Sequence, residues 1–170
     1  MRFRCFAVAP LLAALTLLAT LPSPATARDS LGMFGKWGAF RDPAVPRCYA
    51  IAMAEPSAMR REFQPYVAIG TWPRRGERGQ VHFRVSRRLA TGRAITLSLG
   101  GRRFALVGSG ADAWAADKTM DAAIVAAMRS APTMWLSARD AAGRRFGNAY
   151  DLAGAPTAMD AATVGCAPFR

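Results

Sequence analysis

Cysteine and histidine are the side chains of this sequence that could carry out nucleophilic or metal chemistry. The cysteines are Cys5, Cys48 and Cys166, and the one histidine is His82. A cysteine nucleophile needs a base held within reach, and His82 is the single imidazole that could serve. A zinc site needs three or four ligands, but the sequence contains no cluster of cysteine and histidine. We therefore expect neither chemistry at Cys48.

The acid–base chemistry open to the remaining groups is also limited. His82 falls on the polar side of an alternating segment, next to Arg84, so we expect a solvated or hydrogen-bonded surface histidine rather than a general base. Glu55, Glu62 and Glu77 are dispersed, whereas a glycosidase holds two carboxylates on either side of one bond. We predict no catalytic residue, no metal and no cofactor.

The start of the sequence has the order of parts typical of a secretory signal peptide. Two arginines precede an apolar run at 6–21, and an A-x-A cleavage site ends at Ala27. The run is shorter than the roughly 20 residues of a spanning helix, although an uncleaved membrane anchor is the alternative. We predict a signal peptide at 1–27 and a single domain at 28–170 without a transmembrane segment. Cleavage near Ala27 would leave this domain periplasmic or secreted.

Export changes the interpretation of the cysteines. Cys5 would leave with the signal peptide, so Cys48 and Cys166 would remain as the only pair. An even, minimal number of cysteines in an oxidising compartment is typical of a structural disulfide. We therefore predict a Cys48–Cys166 bond that contributes stability and no reactivity.

Basic residues dominate the charge of the chain and are concentrated in one segment. The formal net charge of +12 becomes +10 when two arginines leave with the signal peptide. Residues 74–103 contain nine arginines and a single acid, Glu77. Arginine forks match phosphate and carboxylate groups, and clustered charge attracts anions over about 8 Å at physiological salt. We predict an anion- or partner-binding patch with five members: Arg84, Arg87, Arg88, Arg102 and Arg103.

The predicted location restricts the partners of such a patch. An exported protein meets acidic lipids, acidic glycans and proteins of the envelope or of a host surface, whereas nucleic acid is not expected there. The alternative is that these arginines only solvate a strand face, because the chain uses arginine almost throughout and has only Lys36 and Lys118 as lysines. The sequence does not indicate an oligomeric state.

Alternation of apolar and polar residues predicts the strands that would position these side chains. Segments 80–86 and 95–106 alternate, and Gly100-Gly101 in the second offers a two-residue hairpin turn. Other segments are apolar, bounded by turn formers and typical of strands buried more fully. We predict that strands occupy 65–72 and 133–138, that a further strand occupies 146–152, and that Cys48 begins another.

Two segments predict short helices. In residues 117–132, Asp117 can cap the first turn, Asp121 suits the positive end of the helix, and an apolar stripe follows. In a later segment, Thr157 with Asp160 three residues on resembles a capping box. Several short strands with few helices favour a mainly β fold, a β-sandwich with one or two short α-helices.

The four tryptophans are the largest apolar side chains and admit two interpretations. We expect Trp37, Trp72, Trp114 and Trp135 to anchor the core or its rim. The alternative is that some of them form an exposed aromatic platform for sugars.

Ordered sequence features resemble the invasion associated locus B family of exported bacterial envelope proteins. These features are "FGKWGAF", "RCYAIAMAEP", "VSRRLATGRAITLSLGGRRFAL" and the long run from "AMRSAPTMW" to "DAATVGC", which together cover most of the chain after the signal peptide. The resemblance implies a small immunoglobulin-like domain without a cofactor, and it supplies no catalytic residues. We predict a non-enzymatic envelope protein that binds a protein or an anionic envelope or host-surface partner. The alternative is a periplasmic hydrolase that acts on a glycan or another envelope polymer.

Overall fold

A computed structural model describes residues 28–169, so the predicted signal peptide lies outside the described residues. The described chain forms ten strands and two α-helices, which confirms the predicted mainly β fold with two short helices. The strands are β1 (Asp29–Phe34), β2 (Trp37–Asp42), β3 (Arg47–Met53), β4 (Tyr66–Trp72), β5 (Glu77–Arg84), β6 (Ile95–Leu99), β7 (Arg102–Ser109), β8 (Asp112–Trp114), β9 (Thr133–Arg139) and β10 (Arg145–Asp151). The helices are α1 (Lys118–Met128) and α2 (Ala155–Gly165), and short 3-10 turns occupy Pro73–Arg75 and Ala167–Phe169.

The strands form one antiparallel hydrogen-bonded order, β1-β2-β3-β4-β5-β8-β7-β6-β9-β10. The sheet curves back on itself. Two hydrogen bonds show this, since they join carbonyl groups of its last strand, β10, to donors in β2 and just after β3. The Glu55 amide donates to the Ala149 carbonyl at 2.8 Å, and the Trp37 indole N–H donates to the Asp151 carbonyl at 2.9 Å. The immunoglobulin-like sandwich arrangement stays a prediction, since hydrogen bonds run through all ten strands.

The predicted hairpin is confirmed in detail. Leu99 pairs with Arg102, which leaves Gly100 and Gly101 as the two-residue turn between β6 and β7. Both glycines have positive φ, 55° and 75°, which favours glycine and matches the twist of the flanking strands. The short β8 and the first two strands were not predicted from the sequence.

One contiguous apolar core lies on the inner side of the curved sheet and under the helices. Alternate residues of each strand face it, because successive side chains of a strand point to opposite faces. Its largest fully buried side chains include Trp37, Phe83 and Tyr150, and the rings of Phe83 and Tyr150 lie 5.8 Å apart. Burial of each large apolar side chain contributes about 1.5–3 kcal/mol to folding.

The two helices begin in different ways. Asp117 caps α1 as predicted, since its carboxylate accepts the Met120 amide at 2.8 Å. The predicted Thr157–Asp160 capping box is wrong: α2 begins at Ala155 after Gly154, without a side-chain cap. Gly154 has a φ of 88° and approaches the Phe34 carbonyl so closely that a β-carbon would collide with it. The close contact between Gly154 and the Phe34 carbonyl fixes the start of α2, which has no side-chain cap.

Asp121 lies in the first turn of α1, as predicted, and it has a further role. It is buried beneath α1, and its carboxylate accepts the Val81 amide of β5 at 2.8 Å. Burial raises the pKa of Asp121 above its usual value, which outweighs the lowering by the Val81 amide, and nearby Glu77 and Asp117 raise it further. The Asp121 side chain therefore joins α1 to β5, although burial of its negative charge is unfavourable.

The predicted disulfide is confirmed. Cys48 in β3 and Cys166 directly after α2 are bonded, with their α-carbons 5.6 Å apart, and both are buried. The bond fixes the end of α2 to the sheet. Among the described residues, no helix is long and apolar enough to cross a membrane.

Candidate functional site

The outer face of the sheet carries a groove of about 470 Å³ across β3, β4, β5 and β8, which we call the aromatic groove. Its wall is rich in half-exposed aromatic side chains, contributed by Tyr49, Tyr66, Trp72 and Trp114. Polar members of the same wall are Arg28, Arg47, Gln80 and His82. A concave surface that combines apolar rings with a few converging polar groups is the usual form of a ligand site.

Strand register explains why these side chains face the same way. Tyr49 pairs with Gly70 and Gly70 with Gln80, while His82 pairs with Ala68 on one side and with Trp114 on the other. Directly paired residues of antiparallel strands share a face, so the pairing sets these side chains in two rows. The inner residues between them, such as Val81, are buried in the core.

A row of rings crosses the groove at β4, β5 and β8. Tyr66 meets the edge of the His82 ring with centroids 5.6 Å apart, and His82 stacks on Trp114 at 5.3 Å. Such contacts fix ring orientation, since each is favourable only in a narrow range of geometries. The row is therefore a rigid, mainly apolar surface.

Next to this row, a carboxylate of β8 holds two side chains of β5. Asp112 accepts a hydrogen bond from Arg84 at 2.6 Å, and its other oxygen lies 2.9 Å from His82 Nε2. A histidine–aspartate pair is half of a catalytic triad, which also needs a nucleophile on the histidine. Within residues 28–169, the imidazole of His82 has no hydrogen bond other than the one to Asp112. The pair therefore orients the imidazole between its aromatic neighbours.

Two arginines form the opposite end of the groove. Arg28 and Arg47 lie 3.6 and 3.3 Å from the same carboxylate oxygen of Asp42, so this end keeps one uncompensated positive charge. The Arg47 guanidinium also lies over the Tyr49 ring, 5.0 Å from its centroid. A guanidinium held against a ring presents its remaining donors to a ligand in a fixed direction.

The predicted arginine patch is divided by the fold. Arg84 lies beside the groove, bound to Asp112 and over the Phe63 ring at 4.6 Å. Arg87 is mostly buried and bonds to Asp140 at 3.0 Å and to the Arg60 carbonyl at 2.9 Å. These contacts make Arg87 part of the framework rather than of a binding surface.

The other three members of that patch are exposed, and the described part of the chain gives them no ion pair. They are Arg88, Arg102 and Arg103. Arg102 and Arg103 are consecutive in β7 and point to opposite faces, and Arg102 lies over the Phe104 ring at 4.8 Å. Arg84 lies far from them, since its partner Asp112 pairs with Ser109 at the opposite end of β7. The five arginines do not form one cluster.

The four tryptophans lie in the core and on the outer face of the sheet. Trp37 is fully buried in the core, as expected. Trp72 and Trp114 line the groove, and Trp135 is 45% exposed elsewhere on the outer face. The sequence did not identify Tyr49, Tyr66, Arg28 or Arg47 as site residues. The alternation of Arg47 and Tyr49 with the buried Cys48 and Ala50 in β3 was the signal available.

The groove offers binding groups rather than metal ligands. Among residues 28–169, no three His, Cys, Asp or Glu side chains lie together in a way that could hold a metal ion. The groups that converge are aromatic faces, guanidinium donors, one amide and one imidazole. Comparison of the chain with protein-family models, with curated proteins and with solved structures finds no match.

Proposed function

We propose that this protein is an exported, non-enzymatic envelope protein that binds an acidic glycan in the groove on the outer face of the sheet. The observation that carries the proposal is the presence in one groove of four half-exposed aromatic rings and a pair of arginines that share a single carboxylate. Rings alone would suit a neutral sugar or a lipid, and arginines alone would suit any anion. Their combination favours a sugar chain that bears carboxylate or phosphate groups.

The aromatic row matches the shape of a sugar chain. Tyr66, His82 and Trp114 lie in succession with centroids 5.3–5.6 Å apart, so their apolar surfaces follow one another along the groove. Pyranose rings have apolar faces that can lie against such side chains, while Gln80 and Arg47 can bond to hydroxyl groups at the edges. Little side-chain entropy is lost on binding, because contacts already hold the rings.

The charge of the groove supplies the preference for acids. Arg28 and Arg47 outnumber Asp42 at one end, whereas Asp112 balances the charge of Arg84 beside the aromatic row. Arginine binds carboxylate and phosphate through two parallel donors, and the end of the groove at Arg28 and Arg47 therefore suits an anionic substituent. Binding of this kind weakens as salt screens the charges.

The cellular setting rests on the sequence. The predicted signal peptide places the domain in an oxidising compartment, and the Cys48–Cys166 disulfide is compatible with that location. Membership of the invasion associated locus B family stays part of the proposal, and it agrees with an envelope protein that recognises a surface.

Binding of a defined acidic oligosaccharide tests the proposal. We expect an oligogalacturonate to bind the mature protein, to bind more weakly as salt rises, and to bind more tightly than a neutral cello-oligosaccharide of equal length. Trp114→Ala should weaken binding about tenfold, because one well-placed ring contributes about 1.4 kcal/mol or slightly more. Trp135→Ala is the matched control, since it removes an exposed tryptophan outside the groove.

Three outcomes would overturn the proposal. Equal losses of affinity in Trp114→Ala and Trp135→Ala would show that binding does not take place in the groove. Equal affinity for inorganic polyphosphate would reduce the site to charge alone. Tighter binding of a short oligothymidylate would replace the glycan with a single-stranded nucleic acid, which also stacks on aromatic side chains.

A periplasmic hydrolase is the second candidate function, and the His82–Asp112 pair is the observation that favours it. The same glycan, incubated with the protein, distinguishes the two. A hydrolase would release new reducing ends and would lose that activity in His82→Gln. A binding protein leaves the oligosaccharide at its original length.

A further inference from the structure

A second groove, of about 570 Å³, lies on the other side of the sheet between α1 and α2. Strand β4 separates the two grooves: Ala68 and Gly70 face the aromatic groove, whereas Ile69 and Thr71 face the space between the helices. The volume falls within the roughly 300–1,000 Å³ typical of small-molecule sites. The two grooves therefore lie on opposite faces of the sheet and share no lining residue.

Each helix presents a regular stripe of side chains to the second groove. The α1 stripe is Ala122, Val125, Ala126 and Arg129, and the α2 stripe is Met159, Ala162, Thr163 and Cys166. Both have the spacing i, i+3, i+4, i+7, which places four residues on one side of a helix. The α1 residues that pack into the core, Ile124 and Met128, lie on a different side.

The floor of the groove is apolar and fixed. Ile69 is buried at its base, and Cys166 joins α2 to the sheet through the disulfide. The small side chains at Ala122, Ala126 and Ala162 leave the space between the helices open. A fixed apolar slot with small walls suits a narrow, flexible hydrocarbon chain.

The charged side chains at the rim determine which ligand charge the groove favours. Within residues 28–169, the charged side chains that line the groove are Arg78 and Arg129. Arg129 is bonded to Asp160 of α2 at 2.6 Å, which connects the two helices across the groove. Arg78 is exposed and makes no ion pair within the described part of the chain. Among the described residues, Arg78 is therefore the unpaired cation that lines the groove.

We propose that this groove binds a fatty-acid anion, with the hydrocarbon chain between α1 and α2 and the carboxylate on Arg78. The proposal goes beyond glycan binding and uses none of the residues of the aromatic groove. Chain burial supplies most of the affinity, because each methylene removed from water adds a favourable contribution. Arg78 supplies the preference for an anion over a neutral head group.

Calorimetric titration with laurate tests this site in the mature protein. We expect saturable binding of one laurate below its critical micelle concentration, with shifts in the methyl resonances of Val125 and Met159. Ala126→Phe, at an exposed position of the α1 stripe, should fill the slot and weaken binding at least tenfold. Val164→Phe is the matched control, since Val164 lies on α2 at 73% exposure and outside the groove.

A separate variant tests whether Arg78 binds the carboxylate of the fatty acid. Arg78→Ala should weaken laurate about fivefold and leave neutral monolaurin unchanged, and Arg78→Lys should restore most of the loss. The proposal is overturned if laurate does not bind up to its solubility limit, or if Ala126→Phe binds it as well as the native protein does. Neither result would change oligogalacturonate binding on the opposite face, so the two proposals fail independently.

Discussion

Trp72 packs against Gly70 so closely that a β-carbon added at Gly70 would lie 2.5 Å from two carbons of the indole ring. Two other glycines of the outer face are covered in the same way, Gly38 by Phe40 and Gly147 by Trp135. Glycine in a strand leaves a recess, and an aromatic ring that fills it recovers contact with the sheet. The absence of a side chain at Gly70 therefore sets the position of one ring of the aromatic groove.

Gly70→Ala is expected to displace Trp72 and to weaken binding of the acidic glycan about five- to tenfold, since a displaced ring loses about 1–1.4 kcal/mol of contact. Isothermal titration with oligogalacturonate measures the change. Gly147→Ala is the matched control, because it displaces Trp135 by the same collision outside the groove. Equal losses in the two variants would show that the position of Trp72 is irrelevant to binding.

Removal of the disulfide should cost stability without loss of binding. The bond joins residues 118 positions apart, and the loop-entropy account assigns about 4–5 kcal/mol to a loop of that size. We expect Cys48→Ala/Cys166→Ala to lower the free energy of urea unfolding by up to that amount. The reduced native protein should behave like the variant, and an unchanged unfolding midpoint would contradict the prediction.

Asp121→Asn should stabilise the protein at neutral pH. Burial raises the pKa of Asp121, so the folded state binds more protons than the unfolded state at pH values between the two pKa values. Its contribution to stability therefore falls as pH rises through that window. Asparagine keeps an acceptor for the Val81 amide and removes the buried charge. We expect a higher Tm than the native protein at pH 7 and a smaller difference near pH 3, measured by calorimetry.

Asp140 has the opposite pH dependence. Burial alone would raise its pKa, but bonds from the Arg144 amide and from the side chains of Arg87 and Arg144 outweigh burial and hold the pKa of Asp140 below its usual value. Its stabilisation is therefore complete above the unfolded pKa of about 3.9 and is lost as pH falls through the lower folded pKa.

Asp140→Asn should lower the Tm at pH 7 and flatten the loss of stability below pH 4, because it leaves the mostly buried Arg87 without its counter-charge. Asp160→Asn is the control, since Asp160 belongs to an exposed ion pair of small expected worth. Thermal unfolding from pH 2 to pH 7 gives both curves, and equal effects of the two variants would disprove a special role for Asp140.

Local signals explain the parts of the fold that the sequence predicted well. Gly100-Gly101 has a short-range preference for a hairpin turn, and Asp117 caps a helix that begins at the next residue. The capping box at Thr157 failed because a contact with Phe34, more than a hundred residues away in the chain, decides where α2 begins. Short-range preference yields to tertiary packing at such positions.

The binding surfaces were harder to predict because their residues meet through pairing between distant strands. Arg84 and Arg87 looked free in the sequence, yet their acid partners lie 28 and 53 positions away. Tyr66 lies in segment 65–72, whose pattern predicted a strand buried on both faces. The outward side chains of this strand are as apolar as its inward ones. Aromatic content alone does not distinguish a core face from a groove.

The position of the disulfide in the chain sets an order of events. A polypeptide is made from its amino end, so the thiol of Cys48 exists before α1, α2 and seven of the ten strands. It must stay unpaired until Cys166 follows the last helix. Oxidation of this pair therefore reports that every element between them has been made, and a product truncated before Cys166 would leave the Cys48 thiol without its partner.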